Sequence, residues 1–449
     1  MSYLSKQGKT LKTVAAAVAG AVLLYAPAAS ALGLVEAYQA ALKNDAAYRA
    51  AYYASEAGKE NRLLGRSNLL PSISGSYNAS KNRTTISEGS ASVARDYISR
   101  NATIQVRQTL FSLDAYARYK QGAAQSNYAA AQFESQQQEV ISRVVNAYFD
   151  VLYKQDLLAL FKVERDVYVE QRKVNDRLFE KGEGTRTDML ESQARLDAAE
   201  ATVLEGQDAL NNSRSALAAV IGGDVGELDR LVSNFETRPA DTQGYEAWKT
   251  VALERNPDIK TLVYGVEIAK QEVNKAYSGH TPRVDFVASY GRSSADTVQT
   301  FNQDNIVRSI GVQVNIPLYS GGAVSAQSRQ AVANQEKAKA DLQGQKDKVL
   351  LELRKDYDSL ASSVARIDAL KKAVASSELL IKATQQSVKG GVRINLDVLN
   401  ATQQLFTNKR DLAQARYNYL LNTLRMRAAA GTLSETDVQE IAPYFRAES

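Results

Sequence analysis

The chain has 449 residues, a formal net charge of +5 and a mean hydropathy of -0.34. That length is enough for two or three ordinary domains. Cysteine is absent and His280 is the only histidine, which excludes disulfides, thiolate metal ligands and sites with several histidines in one chain. We assign no chemistry to His280, because its sequence surroundings offer no second catalytic group. We therefore predict no enzymatic activity, no catalytic residue, no metal site and no cofactor.

The first 31 residues have the pattern of a secretory signal peptide. Lys6, Lys9 and Lys12 precede an apolar stretch over residues 14–25, and Ala29-Ser30-Ala31 is a small-residue cleavage site. An N-terminal anchor helix is the alternative, but this apolar stretch is too short to span hydrocarbon. Removing the three lysines leaves 52 basic and 50 acidic residues, a net charge of +2. Because no basic stripe is visible either, we expect no nucleic-acid partner.

Two distant stretches follow the same order of landmarks, which indicates an internal duplication. The first opens at Glu36-Ala37-Tyr38 and runs to Leu70-Pro71, and the second opens at Glu246-Ala247-Trp248 and runs to Thr281-Pro282. Between them the composition shifts toward glycine, aspartate and asparagine, as in a connector. The predicted division is a signal peptide, a first repeat, a connector, a second repeat and a C-terminal tail, over residues 1–31, 32–221, 222–244, 245–431 and 432–449.

After each of these prolines, apolar and polar residues alternate along two successive segments. This period predicts two strand pairs, at about 72–111 and 283–318, with strands of about ten residues. Polar loops over residues 82–96 and 293–304 are expected to join the strands of each pair. Ten residues suit a tilted strand that crosses a bilayer. A soluble antiparallel sheet with its apolar face on a core fits the same alternation.

Each strand pair leads into a long helical pattern. Ser112 and Gly182 are 70 residues apart, as are Ser320 and Gly390. A helix over most of this distance is roughly 100 Å long and needs partners along its length. Apolar residues spaced three and four apart, or at seven-residue steps, are typical of a coiled coil. These residues are Ile141, Val144, Tyr148, Val151 and Leu158, interrupted by Gln155, and then Val398, Leu405, Leu412 and Tyr419.

Glycines interrupt the long helical patterns and predict the tips of two helical hairpins, near 182–187 and 389–395. A tight turn between antiparallel helices needs a positive φ angle, which glycine adopts at little cost. The glycines concerned are Gly182, Gly184, Gly390 and Gly391.

Four strands cannot close a barrel, and open sheet edges are not tolerated in hydrocarbon. A membrane sheet of this kind would therefore have to assemble with other copies. A closed barrel needs at least about eight strands, so a dimer reaches eight and a trimer twelve. A water-filled lumen favours the larger assembly.

Five short motifs in the second half of the chain are specific enough to compare with a known family: residues 278–282 (SGHTP), 316–322 (IPLYSGG), 396–402 (LDVLNAT), 415–420 (ARYNYL) and 430–433 (AGTL). They resemble the TolC family of outer-membrane export channels. The resemblance covers about residues 34–437. It implies an α+β membrane protein, a homotrimer whose twelve-stranded β-barrel, with four strands per chain, is continuous with a long periplasmic α-helical coiled-coil tunnel. The implied location is the cell outer membrane of a Gram-negative bacterium, with an extension into the periplasm.

The resemblance further implies a passive duct for type I protein secretion, drug efflux or both. Its partners would be a periplasmic adaptor (membrane fusion protein), an inner-membrane ABC or RND-type pump, and the exported proteins or small molecules. The lack of an acylated cysteine argues against the lipid-anchored efflux branch. The alternative is a soluble periplasmic coiled-coil scaffold or pump adaptor, and a secreted hydrolase is disfavoured.

In the TolC family, a ring of aspartates and polar links between helix turns narrow the periplasmic tip. The resemblance places Asp397 at one ring position and Asn400 at the second. Arg393 matches the gate-linking arginine and Asp188 the acid that receives it, whereas Val388 replaces the linking tyrosine. A ring of carboxylates within about a 10 Å screening length attracts cations. Alternatively, these are ordinary solvated turn residues.

A further set of residues is expected where the barrel meets the tunnel. Phe111 and Tyr319 close the two strand pairs at the position of an aromatic girdle at a membrane interface. The prolines that flank the strands are Pro71, Pro282 and Pro317.

Overall fold

The computed structural model describes residues 31–232, 235–237, 244–295 and 303–446. The predicted signal peptide lies outside these residues except for Ala31, as do parts of the connector and of the second strand hairpin. Within the described ranges, no helix combines the length and the apolar character that a membrane span requires.

In the first repeat, three helices lead into a strand hairpin and then into a long helical hairpin. The elements are α1 (Leu34–Asn44), α2 (Ala46–Lys59), α3 (Asn61–Ser67), β1 (Ser72–Glu88), β2 (Ala91–Phe111), α4 (Leu113–Glu180) and α5 (Arg186–Ile221).

The second repeat has the same order, with two helices before its strand hairpin. Its elements are α6 (Gly244–Arg255), α7 (Pro257–Ser278), β4 (Arg283–Ala295), β5 (Gln303–Asn315), α8 (Ala323–Lys389) and α9 (Asn395–Ala429). The connector contains the short strand β3 (Arg230–Leu231), and the tail contains α10 (Glu435–Ile441) and β6 (Phe445–Arg446).

The two predicted long helices are confirmed. They contain 68 residues in α4 and 67 in α8, which corresponds to about 100 Å each. Ser112 starts α4 because its side chain accepts a hydrogen bond from the N–H of Ala115 at 3.2 Å. The predicted seam residues are buried, with Gln155 only partly so. The long helix α4 and the returning helix α9 therefore pack through the apolar positions that their heptad spacing indicated.

Four strands form one antiparallel sheet in the order β1-β2-β4-β5. The hairpin of the first repeat is longer than expected, because β1 and β2 stay paired from Ser72 with Arg107 as far as Glu88 with Ala91. The predicted loop over residues 82–96 was therefore wrong. Gly89, with φ of 67°, lies in the turn. In the second pair, β5 ends at Asn315 rather than near 318, since Pro317 lacks the N–H that a ladder requires.

The largest apolar core lies midway along the long helices. It combines α1 and the middle of α4 with the ends of α5 and α9, the connector and the tail. At its centre the buried Tyr148 donates a hydrogen bond to the carbonyl of Leu32 at 2.8 Å. The tail is held there because β6 pairs with β3 through Leu231 and Phe445.

Nearer the sheet, the short helices pack on the long ones at close range. A Cβ atom at Gly122 would lie 2.3 Å from the carbonyl oxygen of Asn61, and one at Gly65 would lie 2.8 Å from that of Arg118. Both positions therefore require glycine, since a larger residue would push α3 away from α4. This packing connects the strand hairpin rigidly to the long helix beside it.

Candidate functional site

The four-stranded sheet exposes its apolar face. Directly paired residues point to the same side of a sheet, and the register aligns Ile73, Val106, Ala288 and Ile310 in one row across all four strands. Ile73 and Ile310 are 73% and 80% exposed. Further large exposed side chains on this face are Tyr77, Ile104, Ile306, Val312 and Val314. A soluble sheet would bury such a surface against a core.

The opposite face is polar. Its residues include Gln105, which is half-buried, and the paired hydroxyls of Ser289 and Ser309, 2.6 Å apart. Asp285 is buried on this side and accepts hydrogen bonds from Nε of Arg283 at 2.9 and 3.1 Å. The apolar side of the sheet is thus open to the surroundings, while the polar side carries most of the side-chain hydrogen bonds among the described strand residues.

The sheet has two unpaired edges in the part of the chain that the structure describes. In the order β1-β2-β4-β5, the outer strands β1 and β5 each have a partner on one side only. Their free N–H and C=O groups form a template for strands of another molecule.

The expected junction residues all lie at strand ends. Pro71 immediately precedes β1 and Pro282 immediately precedes β4, where a missing N–H is tolerated. Phe111 is the last residue of β2 and is 48% exposed, and Tyr319 follows β5 and is 88% exposed. Pro317 lies between β5 and α8. These residues mark the level at which the sheet gives way to the helices.

The first tip turn joins α4 to α5. Gly182 has φ of 73°, whereas Gly184 does not have a positive φ. The expectation of a positive φ was wrong for Gly184, where the constraint is space: a Cβ atom would lie 3.0 Å from Cβ of Leu178. Asp188 closes a capping box, since its Oδ2 accepts hydrogen bonds from the N–H and hydroxyl of Thr185 at 3.3 and 2.6 Å.

The second tip turn joins α8 to α9 and has the same backbone path. Gly391 has φ of 73°, and Gly390 has φ of -82°, so the expected positive φ was wrong for Gly390. Ile394 occupies the N-cap position that Thr185 has in the first turn. Asp397 is the third residue of α9, as Asp188 is of α5, but Ile394 has no polar side chain to bond it. The half-buried carboxylate of Asp397 therefore takes no part in a capping box.

The structure does not bring Arg393 and Asp188 together within one protomer. Arg393 is exposed, and among the described ion pairs none joins it to Asp188. Asn400 is bonded instead to the first hairpin: Nη2 of Arg195 donates to its Oδ1 at 3.2 Å, and Nη1 of the same arginine donates to Gln403 at 2.6 Å.

Sequence reasoning missed the contacts that join the two hairpins near their tips. A buried cluster of Tyr168, Leu196 and Ala199 from the first hairpin surrounds Leu399 from the second. Beside it, Nε2 of Gln171 donates a hydrogen bond to Oδ1 of Asn395 at 2.6 Å. Burial raises the pKa of Tyr168 to about 12. These partners are some 200 residues apart in sequence, so no local pattern could have identified them.

A second polar link joins the hairpins further from the tips. The hydroxyl of Tyr417 donates to Oδ2 of Asp156 at 2.6 Å, and burial raises the pKa of this tyrosine. Burial also lowers the pKa of the neighbouring Arg416. Because the raised pKa keeps the hydroxyl of Tyr417 protonated, its hydrogen bond to Asp156 stays intact across the physiological pH range.

Comparison with known proteins identifies the family. The model of the family described as outer membrane efflux protein matches residues 37–223 and 248–432. The chain belongs to the outer membrane efflux protein family. The TolC-family resemblance is thereby confirmed, and the chain is a channel-family protein rather than an enzyme.

Several known proteins are similar to this chain over nearly their whole length. The alkaline protease secretion protein AprF of Pseudomonas aeruginosa is 37% identical over 94% of this chain and 89% of its own. The proteases secretion protein PrtF of Dickeya chrysanthemi is 34% identical over 93% and 92%. The outer membrane protein TolC of Vibrio cholerae is 30% identical over 91% and 92%.

Solved structures show that the fold is that of this family. The outer membrane protein VceC of Vibrio cholerae superposes with a TM-score of 0.78 at 19% identity, over 89% of this chain and 96% of that one. The Campylobacter jejuni CmeC outer membrane channel gives 0.77 at 18% identity, over 92% and 89%.

Proposed function

We propose that the chain is one subunit of a homotrimeric outer-membrane export channel. Three sheets joined through their β1 and β5 edges form a twelve-stranded barrel, and the helical hairpins form a tunnel in the periplasm. The observation that carries this proposal is the apolar sheet face, exposed on a sheet with two open edges. Both features are costly in water, and both are satisfied when lipid covers the face and neighbouring protomers pair the edges.

The cargo proposed is protein, exported by a type I system. The most specific support is the similarity to AprF and PrtF, whose names refer to protease secretion. In this role a periplasmic adaptor and an inner-membrane ABC pump would recruit the trimer. Efflux of small molecules with an RND-type pump is a second candidate, supported by the description of the family as efflux proteins.

The soluble scaffold considered from the sequence is disfavoured on physical grounds. Such a protein would bury the apolar side of its sheet, whereas Ile73, Val312 and Ile310 are each more than half exposed. The opposite face is lined by seryl and threonyl hydroxyls. Such a polar face suits the wall of a water-filled lumen, which an adaptor does not have.

The proposed gate is at the two tip turns, with Asp397 as its principal charge. One carboxylate oxygen of Asp188 accepts the hydrogen bonds that cap α5. The carboxylate of Asp397 makes no such bonds, because the N-cap residue of α9 is Ile394. Three copies of Asp397 around a narrow mouth would attract cations. Arg393 is exposed and would link to Asp188 of a neighbouring protomer.

The channel itself is tested by fractionation and recording on the full-length protein. We expect it to remain in outer membranes after a carbonate wash, to run as a trimer in detergent and to form pores in planar bilayers. Release by carbonate as a monomer without pores would overturn the channel and favour the scaffold.

The gate is tested by Asp397→Asn, with Asp411→Asn as the matched control. Asp411 lies 14 residues further along α9, or about 21 Å away, and is paired with Arg410. The reversal potential in a salt gradient should lose most of its cation preference in the first variant and keep it in the second. Equal selectivity in both variants would remove Asp397 from the constriction.

A further inference from the structure

The basic residues of the sheet are concentrated on its apolar face, each at least seven residues from the end of its strand that adjoins the helices. Five basic side chains lie on that face, and only two acids accompany them among the described strand residues, Asp96 and Asp304. The five are Lys81, Arg83, Arg100, Arg292 and Arg308. A lipid-facing surface that carries this much charge needs a partner of opposite sign, because charged residues on the lipid face of a barrel are otherwise destabilising.

Four of these residues form a continuous diagonal across the four strands, which we call the basic stripe: Lys81, Arg100, Arg292 and Arg308. The register pairs Arg292 with Ile306, two residues from Arg308, and pairs Arg100 with Ser294, two residues from Arg292. Arg100 in turn pairs with Ala79, two residues from Lys81. Diagonal neighbours of this kind are about 7–8 Å apart. Each strand therefore contributes one cation to a single line.

The stripe begins where the apolar band ends. Val284 and Arg292 are eight residues apart on β4, about 27 Å along the strand, or about 20 Å in height at a tilt of about 40°. Tyr77 and Tyr290 lie at the same boundary, and the guanidinium of Arg308 is 5.7 Å from the ring centre of Tyr290. Aromatic rings followed by cations are typical of the level at which lipid tails meet headgroups.

Three members of the stripe have uncommitted charge. Arg292 is bonded to Asp304 at 3.1 Å, but Lys81, Arg100 and Arg308 have no ion pair to any described acid. All three side chains are exposed. The remaining member of the five, Arg83, approaches Asp96 at 3.7 Å. The stripe thus presents, on the apolar face, three cations per protomer that form no ion pair with the described residues.

We infer that the basic stripe binds the phosphate groups of a phosphorylated glycolipid in the outer leaflet, with the acyl chains lying on the apolar rows below. The inference rests on the proposed function, which places the far end of the sheet at the outer surface. A second copy of the chain is a poor occupant, because protomers meet through the β1 and β5 edges and would bring like charges together. Arginine and lysine bind phosphate through strong charge-assisted hydrogen bonds, and the acyl chains match the apolar rows.

The test uses the purified trimer in a neutral detergent and bisphosphorylated lipid A as the probe. Arg100→Gln combined with Arg308→Gln removes two cations from the stripe. Arg95→Gln combined with Arg107→Gln removes two from the polar face of the same sheet and is the matched control. At about fivefold per cation, the stripe variant should bind about 25-fold more weakly at low salt, and the control should match wild type. Fully dephosphorylated lipid A should not distinguish the three proteins.

Equal affinity of the stripe and control variants for lipid A, or equally tight binding of the dephosphorylated lipid by wild type, would overturn the inference. Each protein is also recorded in bilayers of neutral phosphatidylcholine, where pores depend on the trimer and not on the glycolipid. If the wild type forms pores but binds both forms of lipid A equally, the glycolipid inference is overturned and the channel proposal stands. If the wild type forms no pores, both the glycolipid inference and the channel proposal are overturned.

Discussion

Leu399→Ala is expected to loosen the contact that holds the two helical hairpins together near their tips. Leu399 is 1% exposed and packs with Tyr168, Leu196 and Ala199 of the other hairpin. Removing its three outer carbons costs about 2.4 kcal/mol at roughly 0.8 kcal/mol each, and the residual cavity raises this to about 3 kcal/mol. An equilibrium between joined and separated hairpins shifts by about two orders of magnitude for that energy.

The neighbouring polar link should matter much less. Arg195 donates to Asn400 and Gln403 in an exposed position, and exposed polar links contribute at most about 1 kcal/mol. Arg195→Ala should therefore change the same equilibrium by no more than about fivefold. Leu379, 67% exposed on one protomer, provides a leucine-to-alanine control in which little packing is lost.

Single-channel recording in planar bilayers measures the effect as the fraction of time spent in a high-conductance state. The expected order is Leu399→Ala far above Arg195→Ala, with Leu379→Ala close to wild type. If Leu399→Ala unfolded at lower temperature but conducted as wild type does, the cluster would be a stability element without influence on the gate. A larger effect from Arg195→Ala than from Leu399→Ala would mean that the polar link, and not the apolar cluster, holds the hairpins together. That result would refute the energies given above for the two contacts.

Two further predictions concern stability, measured as Tm of the detergent-solubilised protein. Gly391→Ala should destabilise the protein by about 1–2 kcal/mol, because φ is 73° at this position. Gly344 lies inside α8 with nothing near its Cβ position, so Gly344→Ala should stabilise the protein by up to about 1 kcal/mol. Tm shifts of the same sign in both variants would contradict the turn geometry. Burial raises the pKa of Glu164 above its ordinary 4.5, so the folded chain binds more protons than the unfolded chain between those two pKa values, and stability falls as pH rises through that window. Glu164→Gln should flatten this part of the profile, and identical pH slopes in variant and wild type would exclude the residue.

Local patterns were sufficient for most of the architecture. The four strands and two long helices were predictable because alternation and heptad spacing are properties of neighbouring residues, and the seam of α4 from Ile141 to Leu158 is buried as expected. The extension of the first hairpin was not, because residues 82–96 are mostly polar and their few apolar residues, such as Ile86 and Val93, do not alternate regularly. A strand whose two faces are both mostly polar lacks the alternation that predicts a strand and has the composition of a loop.

At the two tip turns, too, the local sequence predicted some features and not others. Gly182 and Gly391 were identified by their place between helical runs, and both have the expected positive φ. The different roles of Asp188 and Asp397 depend on whether the N-cap residue is Thr185 or Ile394, which is visible in sequence only once the helix starts are known. The partners of Leu399 and Arg195 lie across a tertiary contact, so periodicity carried no information about them.

The pairing of β3 with β6 has a consequence for how the chain is assembled. Leu32, near the start of the described chain, bridges to Leu228, and Phe445, near its end, pairs with Leu231. Two segments more than 400 residues apart thus meet on the same short connector. Contacts of such high sequence separation form late in folding. The apolar core midway along the long helices can therefore close only after the segment that contains Phe445 has been synthesised.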